Sequence, residues 1–452
     1  MPDALRCGLF TPISTHQLGN GLAHRARFWH EVLAGFGPVT TVVIPLAGTP
    51  PARDLTGPVE TIVPLTTQVG SSANLPSRAR LAPEQAGRMW QSHGDSFDLV
   101  VVLRAYCAPF AFGAVAGTDA VVVVDLDDDD ATFHDDAGHP QEAAKYRALV
   151  AEIDRRAERV ISVTGFGSTS AIANSVEPAP ARSADRIPGR RVIMVGNFGY
   201  LPNIDGARWF IDEVLPHCDD DFDFVVAGPG SDQFAPFGIG YAPDLGALYA
   251  GADVVVVPLL SGSGSRIKAI EAFAAGVPVV ATSIGLSGLD VRPGVDCEVA
   301  DDPAAFAAAV LQLIDNPDRA RQIAAAALAD VVPHYSRQHV AETAVGVLLE
   351  CLHEPAQRMP ARAPGLEITE EGDALVVTDP SALTTHRLTG WEAAIFVTAD
   401  GTSTVAETVE ELAQVRGRSD ELAAQVRATA AALARAGLIH TIRRRKADMP
   451  GA

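Results

Sequence analysis

The sequence predicts an α/β protein with two doubly wound parallel sheets and a small α+β domain after them. Short β-branched runs alternate with helical stretches in two series: TTVVIP, FDLVVVLR, AVVVVDLDD and RVISVT, and then RVIMVGN, DFVVAG, ADVVVVPL and VPVVATS. Runs that are apolar on both faces and separated by helices are typical of parallel strands. Two series therefore predict two Rossmann-like domains, at residues 1–185 and 186–352, divided by the proline-rich stretch 175–190.

The pattern changes after residue 352. The proline-rich residues 353–365 predict a linker. LEITEEGDALVVTD then predicts a β-hairpin that turns at Gly372, and three helical segments follow it. Together these segments predict a small winged-helix-like α+β domain at residues 366–441, with a basic tail at 442–452.

Composition limits the possible function classes. The 452 residues allow two or three domains, and the formal net charge is −21, which disfavours a nucleic-acid partner. No signal peptide is evident, and no run reaches the roughly 18 apolar residues of a membrane span. The five cysteines are scattered and form no C-x-x-C spacing, so neither a disulfide framework nor a zinc site is expected. We expect a cytoplasmic protein without stable membrane insertion.

One loop predicts an anion-binding site. In PLLSGSGSRIKAIEAFAAGVPVVAT (258–282) a glycine-serine loop follows one predicted strand and begins a helix. This location, at the carboxyl end of a strand, is where open α/β sheets bind ligands. Gly262 and Gly264 permit close backbone approach, the first-turn amides can bind an anion, and Arg266 and Lys268 add positive charge. A phosphate or diphosphate is the predicted ligand.

Glu271 extends this prediction to a nucleotide. It lies two turns into the helix, where a carboxylate can accept hydrogen bonds from ribose hydroxyls. The pocket is therefore predicted to bind a nucleoside diphosphate. The alternative is an ordinary flexible loop before a solvated helix that carries surface Arg, Lys and Glu residues.

These residues resemble the donor-site signature of the retaining, two-Rossmann (GT-B) glycosyltransferases of glycosyltransferase family 4. Three further segments resemble the donor domain of that family: IMVGNFGYLPNIDGARWFIDEVLP, GYAPDLGALYAGADVVVVPL and GLDVRPGVDCEVADDPAAFAAAV. The acceptor domain is resembled more weakly, through TPISTHQLGNGLAHRARFW, VVVLRAYCAPF and VVVVDLDDDDATFH. The resemblance implies sugar transfer, with retention, from a uridine or guanosine diphosphate sugar that binds as substrate, without a cofactor.

The resemblance also assigns roles to residues. Glu271 matches the second glutamate of the paired-glutamate motif, whereas Ser263 stands where the first is expected. Asn197 follows the first donor-domain strand, where the family usually has Arg and Lys, so Arg266 and Lys268 are expected to stabilise the diphosphate as catalytic residues. The expected donor-binding residues are Gly19, Gly21, Gly196, Asn197, Ser261, Gly262, Ser263, Gly264, Ser265 and Glu271.

The run DLDDDD at 125–130 invites a metal interpretation, because clustered carboxylates suit hard cations. GT-B enzymes generally do not use a metal in catalysis, so no metal is expected, and Asp127 or Asp128 is predicted to orient the acceptor or to cap a helix. Arg104 and Tyr106 follow a strand and can contact the acceptor or serve in interdomain packing. The expected acceptor residues are His16, Arg104, Tyr106, Asp127 and Asp128.

Residues 366–441 resemble the PqqD-like domains that bind the leader segments of precursor peptides. The resemblance lies in the hairpin, in LTGWEAAIF and ADGTSTVAETVEEL as two helices, and in a last helix that ends at AGLI. It implies a precursor or leader peptide as the partner and a peptide as the sugar acceptor. Two alternatives stay open: a transferase of polysaccharide or glycolipid synthesis with an accessory domain, and a non-enzymatic peptide-binding scaffold.

Overall fold

The chain folds into two compact units. The computed structural model describes residues 4–16, 21–45, 60–62, 83–91, 97–136, 138–166, 169–177, 189–218, 222–262, 266–353, 357–380, 382–416 and 419–443. The first unit comprises residues 1–135, 139–171 and 344–452, and the second comprises residues 136–138 and 172–343. Among the described helices, none has both the length and the apolar character that crossing a membrane requires.

The first unit contains a seven-stranded parallel sheet. Its strands are β1 (Cys7–Thr11), β2 (Val39–Val43), β3 (Glu60–Ile62), β4 (Leu99–Leu103), β5 (Val121–Asp125), β6 (Arg159–Ser162) and β7 (Ser170–Ala171). The helices between them are α1 (Gly21–Ala34), α2 (Pro83–Gln91), α3 (Ala108–Ala114), α4 (Asp130–Asp136) and α5 (Pro140–Arg156). The strand order is β3-β2-β1-β4-β5-β6-β7, so the order reverses between β1 and β4.

Strand β1 is central in this sheet although the pattern of β-branched runs did not predict it. Its sequence, CGLFT, contains one β-branched residue, yet all five residues are buried. β1 pairs with β2 on one side and β4 on the other. Phe10 packs edge-on against Phe97 with ring centroids 5.8 Å apart. Burial between two layers of helices, rather than β-propensity, stabilises this strand.

The second unit contains a five-stranded parallel sheet in the order β12-β11-β10-β8-β9. Its strands are β8 (Arg191–Val195), β9 (Asp223–Ala227), β10 (Val254–Val257), β11 (Val279–Ala281) and β12 (Glu298–Val299). Its helices are α6 (Leu201–Trp209), α7 (Leu245–Gly251), α8 (Ile267–Ala274), α9 (Pro303–Asp315), α10 (Pro317–Ala326) and α11 (Val332–Tyr335). Helix α12 (Arg337–His353) begins in this unit and ends in the first.

Residues on β8 alternate between two apolar clusters, as side chains on a strand point alternately to its two faces. Val192 and Met194 belong to one cluster, whereas Ile193 and Val195 belong to the other. Helix α8 buries Ile270 and Phe273 in the second of these clusters. This packing fixes the helix on the sheet with its first turn at the carboxyl end of β10.

The C-terminal module (residues 357–443) consists of β13 (Arg358–Arg362), β14 (Glu367–Glu371), β15 (Ala374–Asp379), β16 (Thr384–Leu388), α13 (Gly390–Thr398), α14 (Val405–Arg416), α15 (Asp420–Arg435) and β17 (Ile439–Arg443). β14, β15 and β16 form an antiparallel sheet. The predicted hairpin is present, and Gly372 at its turn has φ +69°. The fold prediction of two Rossmann-like domains and an additional small sheet domain therefore agrees with the observed elements.

Residues 358–362 differ from the predicted linker. They form β13, which pairs antiparallel with β17 from Arg358↔Arg443 to Arg362↔Ile439. β17 likewise includes the first residues of the predicted basic tail. The two strands are about 80 residues apart in sequence, and pairing at such a distance leaves no local pattern that sequence reading can detect.

The C-terminal module packs on the N-terminal sheet domain within the first unit. Arg358 lies 3.5 Å from Glu158, which precedes β6. Gly117 approaches α15 so closely that a Cβ atom there would lie 2.5 Å from the Ala431 carbonyl oxygen. Glu84 on α2 pairs with Arg156 on α5 at 3.0 Å, beside His440 on β17. The module is therefore docked on this domain.

Candidate functional site

The glycine-serine loop lies between β10 and α8, as the sequence predicted. Gly262 has φ +110°, a conformation that favours glycine, and a Cβ atom there would lie 3.3 Å from Pro202 Cγ and from the Tyr200 hydroxyl. The loop thus passes close to the start of α6. Ser261 is partly exposed, whereas Ser263, Gly264 and Ser265 lie outside the described residues.

Arg266 occupies the position that precedes α8 and is only 5% exposed. Its Nε donates to the Ile284 carbonyl at 2.9 Å. Its Nη2 donates to the Gly262 carbonyl at 2.7 Å and to Ser287 Oγ at 2.8 Å. All three of these acceptors are neutral oxygens, and the contacts hold the guanidinium in place.

Lys268 lies in the first turn of α8. Its Nζ donates a hydrogen bond to Oδ1 of Asn203, which is in the first turn of α6. Burial and the neighbouring Arg266 lower the pKa of Lys268 to about 7, and Glu271 opposes this shift. The lysine is therefore anchored by a neutral amide and sits in surroundings that already carry positive charge.

Glu271 lies one turn further along α8. The Tyr249 hydroxyl on α7 donates to Glu271 Oε2 at 3.1 Å. Burial raises the pKa of Glu271, while the hydrogen bond from Tyr249 and the charge of Lys268 act in the opposite direction. One carboxylate oxygen has a described partner, and the side chain stays partly exposed. Arg266, Lys268 and Glu271 are thus brought to one end of one helix.

Asn203 connects the end of β8 to α8 through hydrogen bonds. The sequence analysis did not identify Asn203 as a site residue. Its Nδ2 donates to the Asn197 carbonyl at 2.8 Å. A Cβ atom at Gly196 would lie 3.1 Å from the same Nδ2, so a glycine is needed for this close packing. The side chain of Asn197 instead closes a local turn by accepting from the Gly199 amide at 2.9 Å. The only sequence signal was a Pro-Asn pair at a helix start.

In the first unit, Asp125 forms a buried ion pair at the end of β5. Its Oδ2 accepts from Arg25 Nε at 2.5 Å and from Trp29 Nε1 at 2.6 Å. Its Oδ1 accepts from the Asp127 backbone amide at 2.9 Å. Arg25 and Asp125 are both almost fully inaccessible to solvent. This carboxylate is therefore engaged in holding α1 against the sheet.

Arg104 forms ion pairs with three other aspartates of the acidic run. It lies 3.4 Å from Asp127 and 3.5 Å from Asp128, and it also pairs with Asp130. Arg104 and Asp127 both have positive φ, at 75° and 63°. Burial and Asp128 raise the pKa of Asp127 to about 7, against the opposing effects of Arg25 and Arg104. Arginine thus supplies the counter-charge for this acidic run.

The other predicted acceptor residues are placed as follows. Tyr106 is buried near Arg104, and burial raises its pKa well above its usual value. The aspartate that caps α4 is Asp129, which accepts from the Thr132 amide at 3.0 Å, so neither Asp127 nor Asp128 has the predicted capping role. The His16 backbone amide donates to Ser14 Oγ. Among the described residues, no group of three or more His, Cys, Asp and Glu side chains could hold a metal ion.

Of the two donor residues predicted in the first unit, the structure describes Gly21. Gly21 is the first residue of α1. Gly19 lies outside the described residues.

Residues 189–316 match the model of the family "Glycosyl transferases group 1". A "D-inositol 3-phosphate glycosyltransferase" from Thermobispora bispora is 39% identical over 88 residues, which are 19% of this chain and 20% of the relative. An "Uncharacterized 44.6 kDa protein in cps region" from Klebsiella pneumoniae is 24% identical over 168 residues, covering 33% of this chain and 43% of the relative. The chain thus spans less than half the length of these curated relatives.

Solved structures match over more of the chain. Sucrose-phosphate synthase from Thermosynechococcus elongatus aligns with a TM-score of 0.61 at 14% identity, covering 77% of this chain and 99% of that protein. HepE from Anabaena, in complex with UDP and glucose, aligns with a TM-score of 0.56 at 15% identity, covering 76% and 100%. These likenesses confirm the fold prediction of two Rossmann-like domains of the GT-B fold class.

Proposed function

From the match of residues 189–316 to the group 1 glycosyl transferases, we propose that this chain transfers a sugar, with retention, from a nucleoside diphosphate sugar to an acceptor. The observation that carries the proposal is the pair of cations at the start of α8. Arg266 and Lys268 are held by carbonyl, hydroxyl and amide oxygens. Positive charge that is fixed in place by neutral groups is suited to an anionic ligand.

The electrostatic role follows from the chemistry of the leaving group. Negative charge accumulates on the diphosphate as its bond to the sugar breaks, and a nearby fixed cation stabilises that charge without reorganising. The amino end of α8 adds the positive end of the helix dipole. Because Arg266 is buried and Lys268 partly so, their interaction with the diphosphate is less screened than it would be in water.

Glu271 is proposed to bind the ribose. Its carboxylate can accept hydrogen bonds from both ribose hydroxyls, and the Tyr249 hydroxyl fixes its orientation. HepE, whose structure holds UDP and glucose, favours a uridine diphosphate sugar as the donor. Retention is proposed from the resemblance of residues 258–282 to the retaining enzymes.

Donor binding and turnover test this function. Calorimetry with UDP and GDP should show binding of at least one of them, and incubation with the corresponding sugar nucleotides should release the free nucleotide. NMR of the first-formed product should show the anomeric configuration of the donor. If neither nucleotide binds, the donor-site assignment fails, and the interpretation as a non-enzymatic scaffold is favoured.

A peptide is the proposed acceptor, held by the C-terminal module as a PqqD-like domain. Within the described part of the chain, β14 and β16 are the edge strands of its antiparallel sheet, and each pairs with β15 alone. All five residues of β14 are exposed. An extended peptide can add to such an edge through main-chain hydrogen bonds. Because the module is docked on the N-terminal domain, it would present the peptide from a fixed position rather than from a mobile tether.

Hydrogen exchange in the presence of a precursor peptide tests the acceptor. Binding by strand addition should slow the exchange of backbone amides on β14 or β16, and a scrambled peptide of the same composition should leave them unchanged. Protection confined to other segments would contradict the proposal. The full chain is used, because removing the docked module would expose Glu84 and Arg156.

A saccharide or polyol acceptor is the second candidate. The Klebsiella relative lies in a cps region, and the Thermobispora relative is a D-inositol 3-phosphate glycosyltransferase. Transfer to an inositol phosphate or an oligosaccharide in the absence of any peptide would favour this candidate. The same sugar donor is used in the peptide assay and in the saccharide assay, so any difference in transfer is due to the acceptor.

A further inference from the structure

Asn203 is a buried polar residue, 6% exposed, that has no charge and no part in the roles assigned above. It lies in the first turn of α6, and its side chain reaches two elements. Its Nδ2 donates to the Asn197 carbonyl at 2.8 Å, just after β8, and its Oδ1 accepts from Lys268 Nζ on α8. The amide therefore connects the first strand of this domain with the helix that bears the donor-site cations.

We propose that Asn203 is a positioning residue that holds the Lys268 ammonium at the diphosphate of the donor. This inference rests on the proposed function. A lysine side chain has four rotatable bonds, so without a hydrogen-bond partner its ammonium group can turn away from the ligand. The hydrogen bond to the uncharged Asn203 side chain restricts this motion.

The two contacts of Asn203 determine the orientation of its amide. The donor end faces the Asn197 carbonyl, so the acceptor end must face Lys268. A flipped amide would place its NH₂ group against the ammonium and its oxygen against the carbonyl, and both contacts would be repulsive. A Cβ atom at Gly196 would lie 3.1 Å from Nδ2 and 3.2 Å from Cγ of Asn203, so the amide lies close beside the Gly196 backbone.

A neutral anchor also preserves the charge of Lys268. A carboxylate at this position would pair with the ammonium and would compete with the diphosphate for it. The charged and titratable groups that act on Lys268 are Arg266 and Glu271 on its own helix, and the Tyr249 hydroxyl on α7 lies 3.4 Å from its carbonyl. Burial and Arg266 together lower the pKa of Lys268 to about 7, so its ionisation is sensitive to any added charge.

The test is the pH dependence of donor turnover in Asn203→Asp, Asn203→Gln and wild type. If the ammonium form is required, wild-type turnover falls as pH rises through the pKa of Lys268. In Asn203→Asp the carboxylate raises that pKa, so the alkaline limb moves upward by about one pH unit. The maximal turnover falls as well, because the carboxylate competes with the diphosphate for the ammonium group. In Asn203→Gln we expect lower turnover without a shift of the limb, because the amide is retained but displaced.

The control is Asn316→Asp, which changes the same functional group at an exposed position. Asn316 caps α10 by accepting from the Arg319 amide at 3.0 Å, and aspartate caps equally well. This variant should keep the wild-type profile. A purely structural role of Asn203 would lower the melting temperature without moving the limb, so an unmoved limb in Asn203→Asp overturns the inference. Absence of wild-type turnover with either sugar nucleotide would instead contradict the proposed function.

Discussion

Both Rossmann-like domains place cations at the carboxyl ends of their central strands, but the partners of those cations differ. In the first unit, Arg25 is paired with Asp125, and Arg104 is paired with the aspartates that follow it. In the second unit, the described hydrogen bonds of Arg266 and Lys268 go to neutral oxygens. The described partners of these cations are therefore carboxylates in the first unit and neutral oxygens in the second.

This difference distinguishes charged side chains that stabilise the fold from charged side chains that are available to bind a ligand. A buried arginine that is matched by a carboxylate stabilises its local structure, and removal of either partner leaves a costly unpaired charge. A cation held by carbonyl and amide oxygens keeps its direction but retains its charge for a ligand. We therefore expect substitutions in the first cluster to act on stability and substitutions in the second to act on donor binding and turnover.

The largest expected effect is on the stability of the first unit. Asp125→Ala leaves the Arg25 guanidinium buried without its main partner and removes the acceptor of Trp29 Nε1, so the free energy of unfolding should fall by about 3–5 kcal/mol. Chemical denaturation followed by circular dichroism measures this. Asp128→Ala is the matched control, because the Asp128 side chain is 37% exposed. It should cost less than about 1 kcal/mol.

The next effect is on catalysis at the second cluster. Lys268→Met keeps the length of the side chain but removes its charge, so kcat should fall about 100-fold with a smaller change in KM for the donor. The free energy of unfolding should not fall, because a buried charge is replaced by an apolar group. Steady-state kinetics and denaturation on the same samples check both statements.

The control for charge alone is Arg321→Ala, since the Arg321 side chain is 67% exposed on α10. It should leave kcat unchanged. EDTA should also leave wild-type turnover unchanged. A requirement for a divalent cation would contradict the assignment of diphosphate stabilisation to Arg266 and Lys268, and it would return the aspartates around Arg104 to consideration.

A smaller effect is expected at Glu271. Glu271→Ala removes the acceptor for the ribose hydroxyls, so binding of UDP should weaken by about 1–3 kcal/mol, as measured by calorimetry. Tyr249→Phe is the matched control, because it removes the hydroxyl that contacts Glu271 and leaves the carboxylate in place. It should weaken binding by less than Glu271→Ala. Equal affinity of Glu271→Ala and wild type would exclude the ribose role.

Most residues of the predicted donor site lie close together in the sequence, which is why sequence reading can group them. Gly262, Arg266, Lys268 and Glu271 lie within ten residues, and helical periodicity places Lys268 and Glu271 one turn apart on α8, directly after Arg266. The partners that decide their chemistry are distant: Asn203 is 65 residues from Lys268, and Tyr249 is 22 residues from Glu271. Neither has a residue type or spacing that marks it as a partner.

In the first unit, too, the partners of the charged residues are distant in sequence and could not be predicted. DLDDDD reads as a possible metal site because its counter-charges, Arg25 and Arg104, lie 100 and about 20 residues away. The strands of the sheet were predicted where β-branched runs mark them, whereas β1 was not, because its burial comes from its neighbours. The sequence also did not predict the pairing of β13 with β17, because the partner of a short strand is determined by the folded chain and not by the local sequence.

The smallest expected effect concerns the ion pairs that dock the C-terminal module in the first unit. Burial and Arg156 lower the pKa of His440 to about 4 in the folded state, from about 6.5 in an unfolded chain. Between these values the unfolded chain binds the extra proton, so this contribution to stability is complete above pH 6.5 and is lost progressively as pH falls. From pH 7 to pH 5 the loss in the free energy of unfolding should amount to about 1–2 kcal/mol.

The substitution of His440 tests this contribution. The pKa of Glu84 is lowered below its usual value near 4.5, so Glu84 titrates outside this pH range. His440→Gln should therefore lose less stability than wild type between pH 7 and pH 5, with both measured by urea denaturation. Parallel losses in the two proteins would show that His440 is not desolvated, and the contact between β17 and α5 would then be looser than the structure shows.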